Sequence, residues 1–270
     1  MKKDFSGTLL VTDLDGTLVT KEGIPQRNIL ALKRFVEQGG HLAIATGRSV
    51  SFAHQVASQI PINMPCIIFN GGLVYDYTTR ERSQEVLLPP GCGAYIKEII
   101  QKFPDTGVLP LHNGGDDLKS EVFFSYPKND MTSFFPRNSG IDFDQDSNWY
   151  KVLFSMKPEQ VPVFEEFVNT LGYSNVRFVT TMETLVEMMP LHLSKGEALS
   201  VLAKEKNIEP EKVVAIGDYF NDLEMIQMAG LGVTVENAPD EMKKAADLVV
   251  GSCENGALAD LVEYLEKLPS

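Results

Sequence analysis

Apolar and polar positions alternate in a regular rhythm over the first third of the chain. Thr8-Leu9-Leu10-Val11 reads as a strand, and residues 25–37 carry apolar side chains at helical spacing. Pro25 is compatible with the first turn of that helix, and Gly39-Gly40 stops it. Leu42-Ala43-Ile44-Ala45 predicts a second strand, residues 50–58 a second helix, and Cys66-Ile67-Ile68-Phe69 a third strand. Apolar strands separated by helices predict βαβ units and a parallel sheet.

The rhythm changes after Asn70-Gly71-Gly72. Leu73–Tyr75 and Glu85–Leu88 read as two arms of a hairpin, and Pro89-Pro90-Gly91 marks a boundary. Residues 85–190 then hold strand-like runs at Glu121–Phe124, Val152–Met156, Val176–Thr180 and Leu185–Met188, with one helix after Pro158. From Ser194 the βαβ rhythm resumes. A helix over 195–206 is followed by the strand Val213–Ile216 and a helix ending near Ala229. Strands at Leu231–Val235 and Leu248–Val250 flank a helix at Pro239–Ala246, and the last helix ends near Lys267. The expected fold class is α/β: a Rossmann-like parallel-sheet core formed by residues 1–84 and 191–270, with an α+β unit, residues 85–190, inserted in it.

The 270 residues and 43% hydrophobic content allow a sizeable core. A formal net charge of −13 repels phosphate backbones and anionic lipid, which argues against nucleic-acid and membrane partners. A phosphorylated substrate then needs a local cation. Cys66, Cys92 and Cys253 are odd in number and form no CxxC pair, so buried thiols in a reducing cytoplasm are expected rather than zinc or disulfides. The N-terminal residues lack the apolar core of a signal peptide, and no run approaches the ~20 residues of a membrane span. A cytoplasmic monomer or weak homo-oligomer is the expectation.

Four segments carry candidate chemistry. In Val11-Thr12-Asp13-Leu14-Asp15-Gly16-Thr17, two acids follow a strand and point the same way if the strand persists. At the carboxyl end of a parallel sheet, ligands bind. The plainer alternative is an acidic turn. In Ala45-Thr46-Gly47-Arg48, a hydroxyl and following backbone N–H groups can converge on an oxyanion, or Thr46 can cap the next helix. In Ser194-Lys195-Gly196-Glu197, a capping box places Lys195 at the first helical position, against the helix dipole. A phosphate between lysine and dipole resolves that conflict; a solvated surface lysine is the alternative. Gly217-Asp218-Tyr219-Phe220-Asn221-Asp222 crowds carboxylates into a strand-to-helix turn, a hard-oxygen set suited to Mg²⁺, or an Asx turn.

Taken jointly, these motifs resemble the haloacid dehalogenase (HAD) phosphohydrolase superfamily. Asn70-Gly71-Gly72, the run Ser194–Leu199 and Asn237-Ala238-Pro239 add to the match and point to its Cof-type, type IIB branch. His192 and Glu236 depart from it, standing where relatives often carry Gly. The resemblance implies a Mg²⁺-dependent phosphatase of small phosphorylated metabolites, sugar phosphates above all. Asp13 would attack phosphorus and form an aspartyl-phosphate. Asp15 would protonate the leaving group and then activate water. Mg²⁺ would be held by Asp13, the Asp15 carbonyl and Asp218, with Asp222 behind it. Thr46, Gly47, Lys195 and Asn221 would bind the phosphoryl oxygens. The inserted unit would act as a cap, with His112-Asn113, Asp116-Asp117 and Trp149-Tyr150 as polar stretches whose plainer reading is loop and core. A sugar phosphomutase and a non-catalytic sugar-phosphate regulator are the alternatives.

Overall fold

The computed structural model describes residues 3–112, 143 and 149–268. Its first strand, β1 (Leu9–Thr12), is buried at every position, as a central parallel strand covered on both faces must be. There follow α1 (Gln26–Glu37), β2 (His41–Ile44), α2 (Val50–Ala57), β3 (Cys66–Ile68), β4 (Leu73–Tyr75) and β5 (Arg82–Glu85). Next come α3 (Cys92–Lys102), β6 (Gly107–His112), β7 (Trp149–Ser155), α4 (Val161–Thr170), β8 (Val176–Met182) and β9 (Leu185–Pro190). The remainder comprises α5 (Lys195–Glu205), β10 (Val213–Gly217), α6 (Leu223–Met228), β11 (Leu231–Val235), α7 (Asp240–Ala245), β12 (Leu248–Val250) and α8 (Ala257–Lys267).

These elements form two compact units, Met1–Glu85 with Ser194–Ser270, and Val86–Leu193. In the first, a five-stranded sheet runs β12-β11-β10-β1-β2, and all its pairings are parallel. Leu9 and Val11 pack with Ala43, Ala215, Leu199, Leu202 and Met225 on the face that α5 and α6 cover. By strand alternation Leu10 and Leu42 point to the opposite face, on the side where α1 and α8 pack together. Each fully buried Leu or Val contributes roughly 1.5–3 kcal/mol relative to exposure. The ladder matters for the site because its register sets Thr12 beside Ile216 and Ile44. The residues that follow β1, β2 and β10 therefore leave the sheet along one edge.

In the second unit, the antiparallel sheet β6-β7-β9-β8 has a core in which Ile96, Ile99 and Phe164 from the helices meet Val152, Phe154, Val186 and Met188 from the strands. Helix α3 and strand β6 are absent from the sequence reading. Cys92, Ile96, Ile99 and Phe103 have helical spacing, but the Pro89-Pro90-Gly91 break and Gly93 hide it. Pro110 counts against a strand, yet among the described residues β6 lies at the sheet edge, where a missing N–H is tolerated. The expected strand at Glu121–Phe124, and Asn113, Asp116 and Asp117, lie outside the described residues.

The second hairpin arm is also corrected. It is Arg82–Glu85, not Glu85–Leu88. The turn fixes this register: Asp76 accepts from the Thr78 and Thr79 N–H groups, and Arg80 takes a left-handed conformation at φ 62°. The chain then pairs at once, Tyr75 with Arg82 and Leu73 with Glu85. An edge strand with one face in solvent accepts polar side chains, so apolar content misled the assignment.

Candidate active site

The parallel ladder continues one residue past β1: the Asp13 N–H donates to the Ile216 carbonyl at 2.9 Å. Asp13 is thereby held beside Gly217-Asp218, although Asp218 lies 205 positions further along the chain. The strand conformation ends at Thr12, so the condition under which Asp13 and Asp15 would point the same way is not met. Leu14 is drawn into the core with no exposed surface, and the two carboxylates take different partners. Asp13 is buried; the Asp15 side chain is 58% exposed and paired with Arg48.

Lys195 is the centre of the buried arrangement. The capping box forms, with the Ser194 hydroxyl accepting from the Glu197 N–H at 3.0 Å, and Lys195 opens α5. It is fully buried, which rules out the solvated-lysine alternative. Its Nζ lies 2.6 Å from Asp13 Oδ1 and 2.5 Å from Asp222 Oδ1. Burial works against the Lys195 charge, but the two carboxylates raise its pKa above the ordinary lysine value. Burial pushes the Asp13 carboxyl well up, against the pull of Lys195; Asp222 and Asp218 add to the rise. Asp218 is pushed up to about 6 by burial and by Asp222.

Asp222 is committed on both oxygens. Oδ1 meets Lys195, and Oδ2 accepts from the Asp218 and Tyr219 N–H groups at 3.0 and 3.2 Å. It thus fixes the turn that carries Asp218. Asp218 Oδ1 accepts from the Thr17 hydroxyl at 3.1 Å. Gly16 has φ +84°, and a Cβ there would lie 2.5 Å from Asp218 Oδ2. Only glycine fits both the left-handed turn and that approach. Asn237 ties this loop down: its Nδ2 donates to the Gly16 carbonyl at 2.8 Å, while its Oδ1 accepts from the Cys253 N–H at 2.9 Å.

Carboxylate oxygens of Asp13, Asp218 and Asp222 all lie within 4.8 Å of one another. Three ionised carboxylates beside the Lys195 ammonium would carry two negative charges in excess in a largely buried place, which is costly and agrees with the upward shifts of Asp13 and Asp218. A divalent cation that prefers oxygen ligands cancels that excess, so the residues fit Mg²⁺. Because both Asp222 oxygens are engaged, Asp13 and Asp218 are the carboxylates best able to turn toward it.

Thr46 is buried, with its backbone N–H on the Ile67 carbonyl and its carbonyl taken by the Asn70 N–H. It does not cap α2, whose cap position is Ser49. Its hydroxyl accepts from the Arg48 N–H at 3.1 Å and keeps its own hydrogen as a donor. Gly47 faces the Asn70 amide, which a Cβ would meet at 3.0 Å. Asn221 donates from Nδ2 to Asn70 Oδ1 at 3.2 Å. Arg48 grips Asp15 through Nε and Nη2 at 2.8 and 2.6 Å. Arg48, Asn70 and Asn237 stand within the sequence motifs, but a motif alone does not say which side chains meet, so their roles emerge only from these contacts. His192 is exposed. All three cysteines are free and buried, as expected, and among the described residues no helix is long and apolar enough to cross a membrane.

Residues 10–262 match the model of the haloacid dehalogenase-like hydrolase family. The chain is 29% identical over 282 residues to the 5-amino-6-(5-phospho-D-ribitylamino)uracil phosphatase YwtE of Bacillus subtilis, covering 95% of this chain and 97% of the relative. It is 26% identical over 266 residues to the pyridoxal phosphate phosphatase YbhA of Escherichia coli, covering 94% and 97%. A solved haloacid dehalogenase-like hydrolase from Bacteroides thetaiotaomicron superposes with a TM-score of 0.82 at 25% identity, covering 96% of this chain and 99% of that one. A family match that spans nearly the whole chain makes this protein a member of the haloacid dehalogenase-like hydrolases.

Proposed function

We propose that the protein is a Mg²⁺-dependent phosphatase that hydrolyses small phosphorylated metabolites, sugar phosphates in particular, through an aspartyl-phosphate on Asp13. The observation that carries this reading is the Asp13–Lys195–Asp222 chain of short contacts, with Asp218 beside it. It provides a buried nucleophile, a fixed cation for an anionic substrate, and a pair of excess negative charges for a metal. The relatives named as phosphatases of phosphorylated small molecules support the substrate class.

Asp13, Asp218 and the Asp15 main-chain carbonyl would hold Mg²⁺, with Asp222 fixing the Asp218 turn behind them. Bound there, the ion supplies Lewis acidity and charge neutralisation for the phosphoryl oxygens. Lys195, the Thr46 hydroxyl, the Gly47 backbone and Asn221 orient those oxygens. Phosphoryl transfer needs such positioning and electrostatic support more than elaborate covalent machinery. An Asp13 oxygen attacks phosphorus, and the ester P–O bond breaks. Asp15, oriented by Arg48, takes up a proton from solvent and passes it to the departing alkoxide. It then takes a proton from water, whose oxygen attacks phosphorus and breaks the bond to Asp13, releasing inorganic phosphate. Splitting one displacement into two is the advantage of the covalent route.

The test is a screen of purified protein with Mg²⁺ against p-nitrophenyl phosphate and a panel of phosphorylated metabolites, scored by kcat/KM and by free phosphate. Hydrolysis that disappears on chelation and returns with Mg²⁺ supports the reading. No release of phosphate from any ester would overturn it, and a hexose 1-phosphate isomerised without phosphate release would make the protein a mutase.

A further inference from the structure

After β3 the chain enters a short 3-10 turn over Phe69–Gly71, where two successive non-glycine residues take left-handed backbone conformations. Phe69 has φ 54° and Asn70 φ 59°. Such conformations persist only where surrounding structure over-determines them, and they cluster at functional sites. The contacts of this turn show what enforces it. The Phe69 N–H donates to the Arg48 carbonyl at 3.1 Å and the Asn70 N–H to the Thr46 carbonyl at 2.9 Å. The turn thus clamps the Thr46–Arg48 loop by its backbone at both ends.

The same turn touches two more elements. Asn70 Oδ1 accepts from Asn221 Nδ2 at 3.2 Å, and the Asn70 amide packs on Gly47. Gly71, at φ +106°, lies so close to α5 that a Cβ would come within 2.4 Å of the Ser194 carbonyl, at the cap of the helix that Lys195 opens. The three segments assigned to phosphate binding, at Thr46-Gly47, Asn221 and Lys195, therefore meet on one strained turn. Asn70 itself is buried.

Resting on the phosphatase reading above, we infer that Asn70 is a positioning residue of the phosphoryl seat. Its left-handed backbone holds the Thr46-Gly47 loop in place, and its amide oxygen aims the Asn221 amide. Asparagine tolerates the left-handed region better than other side-chain-bearing residues, so one residue meets both demands.

Asn70→Gly separates these two tasks, because glycine keeps the left-handed backbone without strain and lacks the amide. The expected result is a cooperative melt like that of the wild type and unchanged Mg²⁺ binding by the phosphate-free protein. KM for p-nitrophenyl phosphate and the calorimetric Kd of inorganic phosphate both rise about tenfold, the scale for loss of a supporting partner. Asn221→Ala gives a rise of the same order, and Asn70→Gly with Asn221→Ala is no worse than the more severe single variant, as expected for residues acting through one contact. Unchanged KM and Kd in Asn70→Gly overturn the inference, as do effects that simply multiply in the double variant. A glycine variant that loses its cooperative melt also overturns it, since the amide then holds the fold rather than the seat. A wild type that neither hydrolyses an ester nor binds phosphate overturns the phosphatase reading and this inference together. A wild type that does both, matched by Asn70→Gly, overturns this inference alone.

Discussion

Arg48 holds both carboxylate oxygens of Asp15, at 2.6 and 2.8 Å, in a bidentate pair. The pair is half in solvent, with the Asp15 side chain 58% and the Arg48 side chain 27% exposed. Exposed pairs contribute no more than about 1 kcal/mol to stability, whereas the orientation of a proton carrier governs rate. Arg48→Ala should therefore leave the melting temperature nearly unchanged and lower kcat by about tenfold or more. Thermal melts beside steady-state kinetics check both halves of this expectation.

Lys195 faces the opposite energetic situation. It is fully buried between Asp13 and Asp222, and removing one partner of a buried ion pair typically costs about 3–5 kcal/mol. Lys195→Met should destabilise the metal-free protein at neutral pH on that scale. It should also reduce kcat by about a hundred- to a thousandfold, the scale for losing one oriented donor to a developing anion. Denaturant unfolding and kinetics measure the two effects.

The raised pKa of Asp218, about 6, gives a signed pH dependence. A carboxyl with a folded value above its unfolded value stabilises the fold at low pH and loses that contribution as pH rises through the folded value. The metal-free protein should lose stability between about pH 4 and 6 on this account, by no more than about 3 kcal/mol. Mg²⁺ affinity should run the other way, falling as pH drops below about 6 because protons compete for the carboxylate. Melts with and without Mg²⁺ across this range test the opposing slopes.

The Asn237 side chain joins the Gly16 carbonyl to the Cys253 N–H. Asn237→Ala should release the turn that carries Gly16 against Asp218. The expected loss is about 10- to 100-fold in Mg²⁺ affinity or kcat, with the fold retained. Titration of activity against Mg²⁺ distinguishes an affinity loss from a turnover loss.

Much of this arrangement is legible in the residues themselves. Apolar runs at Leu9–Val11, Val213–Ile216 and Leu231–Val235 specify buried parallel strands, and parallel order puts their carboxyl ends on one edge, while the pairing of β1 with β10 is a matter of topology. The capping box at Ser194–Glu197 forms as read. What stays hidden depends on long-range packing. β1 ends at Thr12, and the different partners of Asp13 and Asp15, Lys195 and Arg48, come from distant parts of the chain. The left-handed backbone of Phe69 has no signature in local propensity, because tertiary contacts impose it; Asn70 suits that conformation, but its contacts with Gly47 and Asn221 arise only in the folded chain. The polar arm Arg82–Glu85 pairs because a turn fixes its register, which overrides an apolar count.

The central claim is that Asp13 carries the phosphoryl group. The most direct measurement is acid quenching of the protein during turnover of a phosphate ester with Mg²⁺, followed by mass spectrometry of its peptides. The account expects a phosphoryl group on the peptide holding Asp13, discharged by water on longer incubation, and neither label nor turnover in Asp13→Asn. Sustained turnover with no phosphoryl group on Asp13, or full activity in Asp13→Asn, would contradict it.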